Sequence, residues 1–409
     1  MKTIAKLGFA SLVLMIVLFS CKKIDSASAE TKMESVSSED RAVVTTDGSA
    51  SETDGSYSES DEKDQQLQTQ AGQITAGEWD DLSNWSFWES LNDNSEFSEM
   101  KNYWKYNLSN RISINLRSNS GNVVDASVAL LNSQNEIVWT SKTNNKGNAE
   151  LWPSLKYNDQ SNLNNLKIKI GNEIFQNIKS YNDKKINNLV LKYNPQKQTE
   201  KKIDIAFMVD ATGSMGDELE FLKEELTDVI SKVKNKNQDT QINMGAVFYR
   251  DKDEEYVTKV SDFSSNIDKT VNFIKEQSAA AGGDFPEAVE TALDQSINNL
   301  QWSENAVSRI LFLVLDAPPH YDDQIISQIH TLIASASKKG IKIIPITASG
   351  IDKETEFLMR YMAIATNGTY VFITNDSGIG NDHLVASVGD YQVEYLNKLM
   401  ERLINESLK

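Results

Sequence analysis

The chain has 409 residues, and its 59 acidic side chains outnumber its 41 lysines and arginines to give a net charge of −18. This balance argues against a nucleic-acid partner, because phosphate binding needs a basic patch. A single cysteine excludes an intramolecular disulfide and a zinc site made only of thiolates, and three histidines leave little for a histidine-rich centre. Sites built from oxygen ligands, which suit Mg²⁺ and Ca²⁺, remain open.

The pattern of residues 1–20 predicts a secretory signal peptide. Two lysines precede an apolar run over 7–19, which is shorter than the roughly 20 residues that a membrane-spanning helix needs. The run ends in Leu18-Phe19-Ser20-Cys21, which resembles a bacterial lipobox. The resemblance implies cleavage before Cys21, lipidation of its sulfur, and an exported protein anchored in the bacterial cell envelope, with the outer membrane favoured. An ordinary cleaved signal followed by a free thiol is the alternative.

Residues 21–72 differ sharply in composition from the rest of the chain. Ser, Thr, Asp, Glu and Gln dominate, and large apolar residues are almost absent from 35–70. Such a segment buries too little apolar surface to offset its chain entropy. We therefore predict a disordered acidic tether over 21–72.

The segment 73–107 is rich in aromatic residues, notably Trp79, Trp85, Trp88 and Trp104. These side chains could form an exposed platform for a carbohydrate or peptide. They could also form a small core that fixes the segment on the next domain. The second interpretation is favoured, because large aromatic side chains mostly supply buried area.

Residues 108–196 alternate apolar and polar side chains with a period of two, and turn sequences separate the short runs. This pattern predicts an all-β sandwich. The segments 121–128 and 143–149 resemble the carboxypeptidase-regulatory or prealbumin-like sandwich family. The resemblance implies a spacer or docking module rather than a catalyst.

From residue 200 to 409 the pattern changes to strands that alternate with amphipathic helices. The run 203–209 is apolar apart from Asp204, which indicates a buried strand, and the run 310–315 is continuously apolar, as a central parallel strand is. We predict a doubly wound, mostly parallel α/β domain, with any ligand at the carboxyl ends of its strands.

Oxygen-bearing side chains follow two of these predicted strands. Asp210, Thr212 and Ser214 come directly after the first strand, and Asp316 comes after the strand 310–315. Hard oxygen donors from separate loops suit Mg²⁺, Mn²⁺ or Ca²⁺.

This part of the chain, from about 201 to 408, resembles the von Willebrand factor A family. Asp210, Thr212 and Ser214 match the first loop of that family's metal-ion-dependent adhesion site, and Asp316 matches its third loop by position. The resemblance implies that Thr212 and Ser214 ligate the cation directly, whereas Asp210 and Asp316 act largely through bound water.

The second loop of the predicted site departs from the family pattern. Asp284, in the run Gly282-Gly283-Asp284-Phe285-Pro286-Glu287, stands where the family often has a threonine ligand. Asp284 could be a metal ligand or a nearby acid. The same run also fits a capping box, with Asp284 as the helix N-cap and Glu287 three residues later. Both interpretations stay open, and they are compatible.

The sequence favours a binding module over an enzyme. It carries no histidine cluster, no Gly-x-Ser-x-Gly sequence and no phosphate-binding Gly-x-x-x-x-Gly-Lys loop. We expect a lipid-anchored protein whose C-terminal domain uses a divalent cation to bind an acidic group of a protein or matrix partner. An envelope assembly or scaffold factor with a structural metal is the first alternative. A metal-dependent hydrolase is the second, although it would need a positioned general base.

Overall fold

The computed structural model describes residues 69–155, 165–181, 185–195 and 201–409. The predicted signal peptide, Cys21 and the tether up to residue 68 lie outside these ranges. Within the described ranges, none of the helices combines the length and apolar character needed to cross a membrane.

The described residues form short strands over the first half and an alternation of strands and helices over the second. In chain order the strands are β1 (Thr75–Trp79), β2 (Ile112–Ser118), β3 (Gly121–Asn122), β4 (Ser127–Leu131), β5 (Ile137–Lys142), β6 (Asn148–Leu151), β7 (Lys167–Ile170), β8 (Glu173–Phe175), β9 (Asn187–Val190), β10 (Lys202–Asp210), β11 (Gln241–Tyr249), β12 (Thr258–Ser264), β13 (Ser308–Leu315), β14 (Ile341–Thr347), β15 (Tyr370–Ile373) and β16 (Val393–Tyr395). The α-helices are α1 (Trp85–Leu91), α2 (Ser95–Tyr103), α3 (Gly216–Lys236), α4 (Ile267–Lys275), α5 (Val289–Asp294), α6 (Asp323–Lys339), α7 (Lys353–Ala365) and α8 (Leu396–Glu406).

The largest sheet has eight strands in the order β12-β11-β10-β13-β14-β15-β1-β16. The five strands from β11 to β15 in this order run parallel, while β12, β1 and β16 pair antiparallel with their neighbours. This mixed sheet with helices agrees with the predicted α/β class. The antiparallel strands at its two sides were not predicted.

Strand β13 shows why the centre of this sheet is continuously apolar. Every residue of Ser308–Leu315 is buried. Because successive side chains point to opposite faces, the even-numbered ones from Ile310 enter the core beneath α3 and α8, and the odd-numbered ones enter the core beneath α5, α6 and α7. The two faces are therefore covered by helices, as a largely parallel sheet requires.

The aromatic segment contributes a strand to this sheet. Strand β1 lies between β15 and β16, with Trp79 opposite Tyr370. Helices α1 and α2 follow it, and the Trp88 ring stacks on Phe357 of α7 with centroids 5.6 Å apart. The four tryptophans at 79, 85, 88 and 104 are at most 8% exposed, so the interpretation as a buried core is confirmed and the exposed platform is wrong.

Two smaller sheets hold the strands between residues 112 and 190. One contains β3, β2 and β6, with β9 parallel to β2; the other has the order β5-β4-β7-β8. They contact the large sheet's helices and strands through polar pairs, for example Arg309 Nη1 with Asp125 Oδ1 at 2.7 Å. That these sheets form a sandwich of the family named above stays a prediction.

Candidate metal centre

The two acids that the sequence singled out lie next to each other at one edge of the large sheet. Strand β10 ends at Asp210, and Asp316 directly follows β13. The strands are parallel neighbours, with Val209 opposite Val314. Because the two strands end at the same edge of the sheet, Asp210 and Asp316 both lie at that edge. Their side chains are buried, with 0% and 5% exposure.

The loop after β10 gathers three oxygen-bearing side chains. Asp210 Oδ1 accepts hydrogen bonds from Thr212 N at 2.9 Å and from Thr212 Oγ1 at 2.7 Å. Thr212 Oγ1 is 3.1 Å from Ser214 Oγ. A short 3₁₀ turn over Gly213–Met215 then leads into α3. The carboxylate and both hydroxyls are thus brought together, as the sequence pattern predicted.

A second loop packs directly against the first. Gly213 N donates a hydrogen bond to Ala281 O at 2.9 Å, and Ala280 N donates one to Ala211 O at 3.1 Å. A Cβ atom at Gly213 would lie 2.6 Å from Ala281 O, so only glycine permits this approach. The contact fixes the start of the 281–287 loop beside Thr212.

The structure assigns the inward position in this loop to Glu287, a residue that sequence reasoning missed as a site acid. Asp284 is exposed, whereas Glu287 is 3% exposed. Glu287 N donates a hydrogen bond to Pro318 O at 2.9 Å, which ties the loop to the one that follows Asp316.

The predicted capping box is wrong. Helix α5 begins at Val289, and its N-cap, Ala288, provides no side-chain cap. Instead of joining the helix, Glu287 forms a parallel β-bridge with Pro319. This pairing holds residue 287 in an extended conformation before the helix begins. Asp284 and Glu287 are only three residues apart, and the sequence does not indicate which of the two side chains is buried.

The buried acids keep carboxylate oxygens without a partner. Among the described residues, none meets the geometry of a hydrogen bond with Asp210 Oδ2, Asp316 Oδ1 or Glu287 Oε2. The hydroxyls of Tyr249 and Ser214 are nevertheless near enough to lower the pKa values of Asp210 and Asp316, respectively, against the larger effect of burial. Burial raises the pKa of all three carboxyls: Asp210 to about 6, Asp316 to about 7 and Glu287 to about 9. The negative charge of Asp210 raises the pKa values of the other two further. The site therefore lacks positive charge.

Basic side chains of the neighbouring loop point to other groups. Arg250 Nε and Nη2 donate to the carbonyl oxygens of Ala211 and Ser278, each at 3.1 Å. Lys252 pairs with Glu290 at 3.0 Å, and His320 Nε2 is 2.6 Å from Asp251 Oδ1. None of these contacts neutralises the three acids.

The donor set fits a hard divalent cation. All the candidate donors are oxygens, from two hydroxyls and the carboxylates, as Mg²⁺, Mn²⁺ and Ca²⁺ prefer. In the part of the chain that the structure describes, no group of three His, Cys, Asp or Glu side chains lies close enough together to hold a metal ion. A cation here would accordingly depend on the Thr212 and Ser214 hydroxyls and on water as well as on carboxylates.

The comparison with protein families agrees with this geometry, because residues 204–382 match one family along most of the large sheet. They form a von Willebrand factor type A domain (VWA domain). The matched range includes Asp210, Thr212, Ser214, Asp284 and Asp316. Strands β1 and β16, which form one side of the sheet, lie outside the matched range, β1 before it and β16 after it.

Proteins of known sequence are similar to parts of this chain. An Acanthamoeba polyphaga mimivirus protein named ariadne-like RING finger protein R811 is 37% identical over 137 residues, and the Dictyostelium discoideum alpha-protein kinase vwkA is 24% identical over 213 residues. The matches cover 32% and 50% of this chain, but only 13% and 33% of those two proteins. VWA domains generally serve as interaction modules.

Proposed function

We propose that this protein is a membrane-anchored lipoprotein of the bacterial cell envelope whose VWA domain binds a divalent cation and mediates a protein or matrix interaction. The cation is Mg²⁺, with Mn²⁺ or Ca²⁺ as alternatives. The observation that carries the proposal is the set of buried oxygen donors at the carboxyl edge of the sheet, which includes carboxylate oxygens without partners. An interaction module needs no catalytic base at this site.

Thr212, Ser214, Asp210 and Asp316 would hold the cation, and Asp284 would add negative charge at the exposed rim. When bound, the cation supplies the positive charge that lets the buried carboxyls ionise and that attracts an acidic group from a partner. The chain's own task is to keep the two hydroxyls together beside Asp210: Thr212 donates two hydrogen bonds to Asp210, and the Ser214 hydroxyl contacts that of Thr212.

The anchor and the location belong to the same proposal. Cleavage before Cys21 and its lipidation would fix the mature protein to a membrane, because acyl chains contribute about 0.8 kcal/mol per buried CH₂. The acidic segment up to residue 72 would then hold the VWA domain away from the lipid surface. A Cys21→Ser variant that stays in the membrane fraction would contradict this part.

A scaffold or assembly factor with a structural cation is the second candidate. The burial of Asp210 and Asp316 favours it, since a partner's carboxylate reaches a buried cation less easily than an exposed one. In that case the partner would bind elsewhere on the domain, and the cation would only fix the loops.

Calorimetric titration of the full-length chain with Mg²⁺, Mn²⁺ and Ca²⁺ tests the cation site. The full chain is needed because β1 lies inside the large sheet, between β15 and β16. We expect saturable binding that Asp210→Ala weakens by about tenfold or more. Asp262→Ala, which removes an exposed acid on the edge strand β12, is the matched control and should bind like the wild type. No binding of any of these metals would overturn the site.

A further inference from the structure

We propose that this protein has a second site, a cleft in which the ammonium group of Lys342 pairs with the carboxylate of a small sugar acid. The cleft has a volume of about 400 Å³ and lies at the amino ends of β14 and β15. We call it the amino-edge cleft, because the cation site lies at the opposite, carboxyl edge of the same sheet. The inference involves neither the cation nor the anchor, so it stands or falls independently of the proposed function.

Three parts of the described chain enclose the amino-edge cleft. Lys342 of β14 and Ser407, which follows α8, form one wall. Glu150 of β6 and Asn144, in the turn before that strand, form the second, and Asp80, which follows β1, belongs to the third. Ligands commonly bind where separate structural layers meet, in cavities of roughly 300–1,000 Å³. The place and the size of the cleft therefore fit a small organic ligand.

Lys342 lines the cleft without a carboxylate partner. Its Nζ makes one long hydrogen bond, to Ser407 Oγ at 3.4 Å, and forms no ion pair with a described residue. Burial and then the charge of Lys146 lower the pKa of Lys342 to about 8, against the smaller opposing effect of Glu406. The surroundings of Nζ are therefore unfavourable for a positive charge, and an anion bound beside it would stabilise the ammonium form.

The acids of the cleft limit how much negative charge the ligand can carry. Glu150 is already neutralised by Arg111, whose Nε and Nη2 donate to its carboxylate at 2.9 Å and 3.0 Å. Asp80 accepts its hydrogen bonds from the turn that follows it, so it keeps its charge, and Glu406 also lines the cleft. A doubly charged phosphate would meet more repulsion from these acids than a singly charged carboxylate. The anion that fits Lys342 best is a carboxylate.

Side-chain amides of the cleft supply partners for hydroxyl groups. Asn367 has no side-chain hydrogen bond to a described residue. Asn145 Nδ2 donates to Glu406 O at 2.7 Å, and Asn144 Oδ1 accepts from Lys146 N at 2.9 Å, so within the described chain each amide keeps its other end free. An amide offers both donors and acceptors, and a sugar hydroxyl can use either. A sugar acid combines the carboxylate and the hydroxyls that this lining would bind.

Calorimetric titration of the full-length chain with glucuronate tests the site. Glucose is the matched neutral sugar, and glucose 6-phosphate is the matched sugar with a doubly charged group. We expect saturable binding of glucuronate, tighter than that of glucose by about tenfold or more because the carboxylate makes a charge-assisted contact. Glucose 6-phosphate should bind more weakly than glucuronate. No saturable binding of glucuronate, equal binding of glucose, or tighter binding of glucose 6-phosphate would overturn the inference.

The variant Lys342→Met removes the charge and keeps a side chain of similar length. It should weaken glucuronate binding by about tenfold or more. Lys269→Met, which removes an exposed lysine of α4, is the matched control and should bind like the wild type. Thermal unfolding checks the fold of Lys342→Met, which should unfold at or above the wild-type temperature because a destabilised charge is gone. An unchanged glucuronate affinity in Lys342→Met would overturn the inference.

Acetylation of the wild-type chain gives a readout that needs no variant. Acetic anhydride reacts with neutral amines, and the lowered pKa of Lys342 leaves more of its amine neutral at pH 7 than in an ordinary lysine. Saturating glucuronate should slow the acetylation of Lys342 severalfold, as measured by mass spectrometry, and should leave Lys269 unchanged. Glucose at the same concentration should affect neither lysine. No protection of Lys342, or equal slowing at both lysines, would overturn the inference.

Discussion

Two groups of buried acids in this molecule differ in whether a basic side chain of the chain neutralises them. Asp81, after strand β1, is 3% exposed and meets the fully buried Arg360 of α7, with Nη2 to Oδ1 at 2.6 Å and Nε to Oδ2 at 2.9 Å. Trp79 Nε1 donates to the same carboxylate at 2.9 Å. At the carboxyl edge of the sheet, by contrast, Asp210, Asp316 and Glu287 have no basic side chain among the described residues as a hydrogen-bonding partner.

The difference separates a structural contact from a site. Burial raises the pKa of Asp81 as well, but Arg360 opposes the shift with its charge and its hydrogen bonds. The chain supplies its own counter-charge where the acid fixes the N-terminal segment on α7. Asp210, Asp316 and Glu287, at the carboxyl edge of the parallel strands, have no such basic partner among the described residues. We infer that their counter-charge is an external cation.

The largest expected effect comes from removing the internal counter-charge. Arg360→Met would leave Asp81 buried without its cation, while Glu356, which also contacts Arg360 at 3.4 Å, keeps its 2.9 Å pair with Lys353. We expect the free energy of unfolding to fall by about 3–5 kcal/mol, as when one partner of a buried ion pair is removed. Chemical denaturation at pH 7 measures it.

The double variant Arg360→Met with Asp81→Asn sharpens this prediction. It should lose less stability than Arg360→Met alone, because the uncompensated charge of Asp81 is then removed. Mg²⁺ affinity should stay at the wild-type value in both variants. A loss of less than about 1 kcal/mol in Arg360→Met, the range of an exposed pair, would contradict the assignment of this contact as a buried ion pair.

The second prediction concerns pH. The pKa values of Asp210, Asp316 and Glu287 are raised in the folded chain to about 6, 7 and 9, so the folded state keeps protons that the unfolded state has released. Their contribution to stability is complete below the pKa values of the unfolded chain, near 4, and is lost as pH rises through the folded values. In EDTA, stability should therefore fall between pH 4 and pH 9.

Saturating Mg²⁺ should make this decline shallower, because the cation binds the ionised carboxyls. Glu287→Gln should abolish the decline above pH 7, where Glu287 is the last of the three carboxyls to ionise, and should make the decline between pH 4 and pH 7 shallower. Denaturant titrations at pH 5, 7 and 9, with and without Mg²⁺, measure both effects. A site contribution that rises with pH in EDTA would contradict the raised pKa values.

The smallest effect is expected at the glycines of the second loop. Gly282 has φ +86°, and a Cβ there would lie 3.3 Å from Thr212 Cβ, so Gly282→Ala should lower the free energy of unfolding by about 1 kcal/mol and weaken Mg²⁺ binding. Gly283→Ala is the matched control, since a Cβ at Gly283 meets no atom within 4 Å. Equal effects of the two substitutions would show that the space beside Glu287 does not matter.

The sequence was sufficient for the features that depend on local pattern. The apolar runs of β10 and β13 predicted buried parallel strands, and the topology of such a sheet places Asp210 and Asp316 at one edge. The spacing of Asp210, Thr212 and Ser214 predicted donors close together. Each of these inferences needed only residues a few positions apart and a rule for parallel sheets.

The features that the sequence did not show depend on contacts between distant residues. Strand β1 has only five residues, and its partners β15 and β16 lie near the other end of the chain, so no local period marks it as part of the sheet. Glu287 turns inward because Gly213 contacts Ala281 and because residue 287 pairs with Pro319. The capping-box pattern contained neither contact.

Hydrogen exchange of the full-length chain with and without Mg²⁺, followed by mass spectrometry, tests the central contrast most directly. In this account Asp210, Asp316 and Glu287 need an external cation, whereas Asp81 already pairs with Arg360. Added Mg²⁺ should therefore slow exchange in the loops 210–215, 281–287 and 316–320. Exchange over 75–106, which includes β1, α1 and α2, should not change. Equal protection of both regions, or no change in the three loops at a saturating Mg²⁺ concentration, would contradict this account.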